Sequence, residues 1–253
     1  MAIETFKRNE LYWGEANQHL LSQKRVAVFG LGGVGGFCAE SLVRAGVGKL
    51  TIVDFDTVSE SNINRQIIAL HSTVGQKKTA LFEARLKDIN PNVELDVVDD
   101  FYNDKEIVLD LSSKDYDYVA DAIDTMRSKI YLLETCYKNN IPVISSMGAG
   151  NRVDPTQLYV SDLKDIENKN APFVSNVIYQ LKKLGIIEGI TFVLSREKPF
   201  VQEKLNENEK IETASGLDIE FNKIVPASTP FVASVAGIYM ASYIVQSFLK
   251  EYK

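Results

Sequence analysis

The residues able to do chemistry gather downstream of one glycine-rich turn. Arg65 and Lys78 fall on segments that follow Gly30-x-Gly32-x-x-Gly35, and Asp124 closes the apolar run Tyr118-Val-Ala-Asp-Ala-Ile-Asp124. Two cations beside a phosphate chain suit a reaction that breaks the chain, because negative charge builds on the transferring group and the departing oxygens. Hydride transfer leaves the phosphates alone and needs little positive charge there. A carboxylate such as Asp124, together with phosphate oxygens, makes the usual environment of magnesium. Taken singly, each residue also has a plainer reading. Arg65 and Lys78 could sit on solvated helix faces, and Asp124 could cap a helix starting near Met126.

These groups must be positioned by a strand–turn–helix unit. The apolar residues 26–29 run into Gly30, which permits a tight turn. Gly32 lets backbone approach a ligand closely, and Gly35 lets the following helix pack on the strand. Backbone N–H groups and the helix N-terminus then face a phosphate chain. Asp54 ends the next apolar run, 50–53, at 24 residues after Gly30. That placement suits a carboxylate accepting hydrogen bonds from ribose hydroxyls. Alone, the glycine motif fits NAD, FAD and other nucleotide sites equally.

Around this unit the chain alternates. Strand-like runs occur at 26–29, 50–53, 93–98, 116–120 and 141–145, with helical patterns at 36–45, 74–89, 105–111 and 126–139. Such alternation predicts an α/β fold with a Rossmann-like, doubly wound, mostly parallel sheet. Beyond residue 156 the order changes to a strand at 158–160, a helix near 173–184 and a strand at 191–194. This predicts an antiparallel C-terminal extension of the same sheet. The chain reads as one domain over 1–253, with a nucleotide-binding half (1–150) and a substrate and dimer half (151–253). Residues 200–222 are rich in charge and Asn, and predict a mobile loop.

The motif set as a whole is similar to the ThiF/MoeB/HesA superfamily of adenylating enzymes, the group that includes ubiquitin activators. The resemblance is carried by Gly30-Leu-Gly-Gly-Val-Gly35, Asp54-Phe-Asp56 with Asn62, Asn64-Arg65-Gln66, Val74-Gly-Gln-Lys-Lys78 and Ile89-Asn-Pro91. A narrower set resembles the branch that dehydrates threonylcarbamoyladenosine in tRNA. It comprises Phe6-Lys-Arg8, Val98-Asp-Asp-Phe101, Asp121-Ala-Ile-Asp124, Gly148-Ala-Gly150, Asp154-Pro-Thr-Gln157 and Ser234-Val-Ala-Gly237.

The resemblance implies ATP as co-substrate, with Gly30, Gly32, Gly33 and Gly35 as phosphate loop and Asp54 and Asp56 as the acids of the ribose turn. It implies Asn62, Arg65 and Gln66 on the triphosphate, Lys78 as catalytic lysine and Asp124 as the Mg2+-associated aspartate. Arg8 matches an arginine that reaches the triphosphate in related dimers, often from the partner subunit, so a homodimer is implied. The chain departs from the branch's pattern at Met147, Ala171-Pro-Phe173 and Pro226-Ala-Ser-Thr-Pro-Phe231, all on the presumed substrate side.

Composition narrows the remaining choices. Two cysteines without a Cys-x-x-C pattern argue against the structural zinc of many superfamily members. Cys38 and Cys136 share helix faces with Leu42 and Leu133 and read as buried, inert thiols. His19 and His71 show no partner pattern. A net charge of −6 and a pI near 5.1 do not advertise nucleic-acid binding. A local basic patch can still hold phosphates, and the candidates are Lys7/Arg8, Lys24/Arg25, Arg127/Lys129, Arg152 and Lys182/Lys183. No leader is evident at the N-terminus, so the expected compartment is cytoplasmic. Residues 231–249 carry no charge, but their Ser, Tyr and Gln content favours a buried or dimer-seam helix over a membrane span. The principal alternative to the tRNA reading is adenylation of the C-terminal glycine of a ubiquitin-like sulfur-carrier protein, with a sulfur-transfer partner. A NAD-binding oxidoreductase is the third.

Overall fold

The computed structural model describes residues 4–249, apart from 107, 167–170, 201–205, 213–215, 217 and 225. In chain order the elements are α1 (Lys7–Gln23), β1 (Arg25–Phe29), α2 (Gly35–Ala45), β2 (Lys49–Val53), α3 (Lys78–Ile89) and β3 (Glu94–Val98). They continue with β4 (Tyr118–Asp121), α4 (Met126–Lys138), β5 (Val143–Ser146), β6 (Leu158–Asp162), α5 (Pro172–Lys183) and β7 (Thr191–Ser195). The last are β8 (Asn206–Glu212), β9 (Asp218–Ile224) and α6 (Pro230–Phe248).

Strands β1 to β7 form one sheet in the order β3-β2-β1-β4-β5-β7-β6. All neighbours are parallel except β6, which pairs antiparallel with β7. The expected doubly wound sheet and its antiparallel extension are therefore both present. Strand pleating sends alternate residues to opposite faces. Val26 and Val28 join a core under α2, α3 and α6, while Ala27 and Phe29 join a second core under α4 and α5. Strand order reverses between β1 and β4, and in open α/β sheets the crevice at such a switch point is where ligands bind.

Three local expectations need correction. Residues 105–106 and 108–110 are not helical: a 3-10 turn forms at Leu111–Ser113 instead, and residue 107 lies outside the described set. The side chain of Asn103 accepts from the N–H groups of Lys105 and Glu106, a turn that competes with helix formation. Helix α3 starts at Lys78 rather than at 74. Gly75 takes φ +84° in a turn and Thr57 bridges Lys77, so the helix cannot begin before Lys78. The span 200–222 contains β8 and part of the antiparallel β8–β9 ribbon, not a plain loop. Its register sets Glu207 opposite Lys223 and Lys210 opposite Glu220. The remaining part of that span, 201–205, 213–215 and 217, lies outside the described residues.

Helix α6 is long and apolar enough to cross a membrane. In this fold one face of it is buried: Val232, Ala236, Met240 and Ile244 enter the core, and α2 packs along it. Gly237 permits this approach, since a Cβ there would collide with the carbonyl of Val34.

Candidate active site

A cavity of about 540 Å³ opens at the carboxyl ends of the central strands. That size suits a nucleotide-sized ligand. Its floor comes from the turn after β1. Gly30 adopts φ +83°, and a Cβ on it would lie 2.9 Å from the carbonyl oxygen of Ala122. Gly35 does not line the cavity. It lets the start of α2 sit against Gly30, where a Cβ would overlap the Gly30 oxygen. Gly32 and Gly33, having no side chains, therefore reach the cavity as backbone.

On the β2 side stands Asp54, 7% exposed. Its oxygens accept from the Leu31 N–H at 2.5 Å and the Asp56 N–H at 2.8 Å. A carboxylate has about four acceptor sites, so capacity for a ribose remains. Burial pushes the Asp54 carboxyl above its ordinary range, while Lys78 and the two N–H donors pull it down. Lys78, at the first position of α3, is 3% exposed and donates to Asp56 at 2.6 Å. The ammonium is thus held within reach of the cavity by a carboxylate that also lines it.

Arg65, Asn62 and Gln66 come from the irregular segment between β2 and α3. Asn62 shapes this segment: its side-chain Oδ1 accepts from the Ser59 N–H at 3.2 Å, and its own N–H donates to the Ser59 carbonyl at 3.0 Å. Arg65 donates to the Ser61 carbonyl at 2.8 Å and to Asn64 Oδ1 at 2.9 Å. Burial depresses its proton affinity and nearby Asp124 offsets this, yet an arginine in a protein stays charged. Gln66 Oε1 is buried without a hydrogen-bond partner, the one such side-chain atom among the described residues. An orphaned acceptor at a polar cavity wall fits a site completed by a ligand or its water.

Asp124 lies at the rim after β4. The helix cap position belongs to Thr125, so Asp124 is not the N-cap of α4. The turn that carries it is locked from below. Asp121 Oδ1 accepts from the Ile123 N–H at 3.0 Å, and Asp121 Oδ2 accepts from Lys129 at 2.6 Å and from Ser145 Oγ at 2.7 Å. Lys129 also donates to the Ser146 carbonyl at 3.1 Å. Both Lys129 and Asp121 are fully buried.

The structure therefore brings Gly30, Gly32, Gly33, Asp54, Asp56, Asn62, Arg65, Gln66, Lys78 and Asp124 to one cavity. It does not bring Arg8 there: that side chain is exposed on α1 and outside the lining. The sequence assigned no role to the aromatic wall of Phe55, Phe101 and Tyr102, the first two appearing only inside motifs. The far wall joins Ala149 and Gly150, which stood in a branch motif, to Pro226 and Ser228, which stood in a segment presumed to face the substrate. Two residues of the anticipated basic patch are not surface groups at all, since Lys129 is 0% and Arg152 7% exposed. Lys24 and Arg25 are occupied by Asp117, Glu94 and Asp96. Among the described residues no cluster of three metal-binding side chains occurs. Both cysteines are buried, and burial pushes their thiols well above the usual range, as expected for inert side chains.

Residues 6–251 match the ThiF family. The chain belongs to that family. Within it, the chain is 41% identical over 255 residues to the tRNA threonylcarbamoyladenosine dehydratase of Bacillus subtilis, covering 98% of this chain and 96% of that protein. The Escherichia coli protein of the same name is 38% identical over 193 residues, covering 73% of this chain and 70% of the other. The solved structure of the E. coli tRNA N6-threonylcarbamoyladenosine dehydratase, TcdA, in complex with ATP superposes with a TM-score of 0.82 at 30% identity, covering 97% of this chain and 93% of that one.

Proposed function

We propose that this chain is an ATP-dependent tRNA threonylcarbamoyladenosine dehydratase. The observation that carries the reading is the match to such an enzyme over 98% of this chain, joined to a single cavity that gathers the nucleotide set apart from Gly35 and Arg8. The threonine carboxylate of the modified adenosine is ionised at neutral pH and needs no general base to attack the α-phosphate of ATP. It needs placement and charge neutralisation. Asp54 takes the ribose, the N–H groups of the Gly32–Gly33 turn take phosphate oxygens, and Arg65 and Lys78 neutralise the phosphates. Asn62 and Gln66 complete the polar lining, and Phe55 and Phe101 offer the base an aromatic surface.

Attack forms the acyl–phosphate bond and breaks the bond to pyrophosphate, leaving an acyl-adenylate. The carbamoyl group of the same nucleoside then attacks the acyl carbon. AMP departs carrying the former carboxylate oxygen, so the nucleoside closes a ring and has lost one water overall. No enzyme thiol takes part, which suits the buried Cys38 and Cys136. Asp124, exposed at the rim, together with phosphate oxygens makes a suitable donor set for Mg2+. When bound, that ion would neutralise the leaving pyrophosphate.

The same reading treats 1–253 as one domain, since the β5–β7 pairing continues the sheet from the nucleotide half into the substrate half. It also includes a homodimer and a cytoplasmic location, where tRNA is available. The dimer is supported by α6, whose outer face exposes Phe231, Ile238, Tyr239 and Tyr243.

The test is AMP release from labelled ATP and magnesium, with tRNA bearing threonylcarbamoyladenosine compared with the same tRNA unmodified. AMP only with the modified tRNA, and loss of one water from the nucleoside by mass spectrometry, is the expected result. No AMP with either tRNA, but AMP with a Gly-Gly-tailed carrier protein, would replace this substrate with the carrier.

A further inference from the structure

Outside the nucleotide set, one residue organises the opposite side of the cavity. Along the sheet the lining runs from Asp54 after β2, through the glycine turn after β1 and Asp124 after β4, to Ala149 and Gly150 after β5. A nucleotide with its ribose on Asp54 and its phosphates over Gly32 and Gly33 therefore leaves the β5 side for the second substrate. The wall there is completed by Pro226 and Ser228, from the segment linking β9 to α6. Gly150 and Pro226 touch so closely that a Cβ on the glycine would lie 2.5 Å from the proline Cβ.

That segment is fastened to Asn151. The Asn151 N–H donates to the Ala227 carbonyl at 2.7 Å, and the Ala227 N–H donates to Asn151 Oδ1 at 2.8 Å. The Asn151 carbonyl in turn accepts from the Phe200 N–H at 2.8 Å. One residue thus holds both roots of the excursion between β7 and α6. It does so at φ +60°, a left-handed conformation that side chains other than Gly avoid and Asn tolerates best. The next residue, Arg152, is buried and donates to the Gly148 carbonyl at 2.5 Å and to the Glu197 carbonyl at 3.3 Å. Asn64, beside Arg65, donates to the Ser228 carbonyl at 2.9 Å and ties the same segment to the phosphate side.

We infer that Asn151 is a positioning residue for the RNA substrate: it fixes residues 226–229 as the wall against which the modified nucleoside presents its carboxylate to ATP. The inference rests on the proposed dehydratase reading and adds to it a residue that acts on one substrate only. Replacing Asn151 with glycine keeps the left-handed backbone and removes the Oδ1 acceptor. Replacing it with alanine removes the acceptor and also strains the backbone.

The experiment measures steady-state KM and kcat for modified tRNA, together with calorimetric ATP affinity in the absence of tRNA. For Asn151→Gly the expected result is a KM for tRNA raised roughly five- to tenfold, the effect of losing one positioning hydrogen bond, with ATP affinity within about twofold of wild type. Asn151→Ala should move KM further in the same direction. A KM that does not change, or an ATP affinity that falls in proportion, would overturn the inference. Wild-type enzyme making no AMP with modified tRNA would remove the dehydratase reading and this one together, whereas active wild type with an indistinguishable Asn151→Gly variant removes only this one.

Discussion

At the scale of single residues, the proposed reaction separates the site into groups that bind and groups that neutralise developing charge. Lys78 belongs to the second kind in that proposal. Its ammonium is held by Asp56 at the cavity rather than pointed into solvent. Lys78→Ala should lower AMP formation by about 10²–10³, the magnitude of losing one preorganised charge donor, with a smaller effect on ATP affinity measured by calorimetry. Asp54 belongs to the first kind. Asp54→Asn should weaken ATP binding roughly ten- to hundredfold, because charge-assisted hydrogen bonds are lost. Burial also raises the Asp54 carboxyl. The ionised form that accepts best is therefore lost, as pH falls, earlier than for an ordinary aspartate near about 3.9. ATP affinity titrated downward from neutrality should begin to fall above that value in wild type and stay flat in Asp54→Asn.

At the scale of elements, two buried carboxylates hold helices to the frame. Glu40 of α2 pairs with Arg44 at 2.7 Å and with Arg85 of α3 at 2.5 Å. Burial works against its charge, but those two guanidinium groups hold its carboxyl below the ordinary range. Depression of a folded-state pKa gives stability that is present above the unfolded value and lost as pH falls through the folded one. Glu40→Gln should thus cost about 1–2 kcal/mol in urea unfolding at neutral pH, with the gap to wild type closing below about pH 4. The Lys129–Asp121 pair is fully enclosed. Lys129→Met alone should cost about 3–5 kcal/mol by stranding Asp121, and adding Asp121→Asn should recover much of it. The contrast between these elements explains what the amino-acid pattern made legible. Strands such as 26–29 and the helix beginning at Gly35 announce themselves through local periodicity and glycine chemistry. Asp54 and Asp124 could be placed because each sits just past a strand end, and Lys78 because it closes the motif at 74–78. The turn at Asn103 overrides a helical pattern through one side chain. Lys129 and Arg152 look like surface cations because a linear pattern cannot show that α4 and the chain after β5 fold them inward. The wall at residues 226–229 depends on a contact 76 residues distant in the chain, which no local spacing reveals.

At the scale of the whole molecule, Arg8 and α6 point the same way. Arg8 is exposed and outside its own cavity, while α6 turns aromatic and aliphatic side chains to the exterior. If Arg8 serves a neighbouring copy, co-expressed Arg8→Ala and Lys78→Ala chains should regain activity that neither variant has alone, because a mixed dimer contains one complete site. Sedimentation velocity should show the dimer; inactivity of the mixture would place Arg8 in its own subunit's site, and full activity of Arg8→Ala alone would place it outside catalysis. The anchoring of residues 200 and 227 on Asn151 has one more consequence. Because both ends of this excursion close on a single point, its length contributes little to the free energy of the sheet, as loop closure grows only slowly with length. The stretch between them is thus a place where the chain can lengthen, shorten or exchange sequence without disturbing the frame.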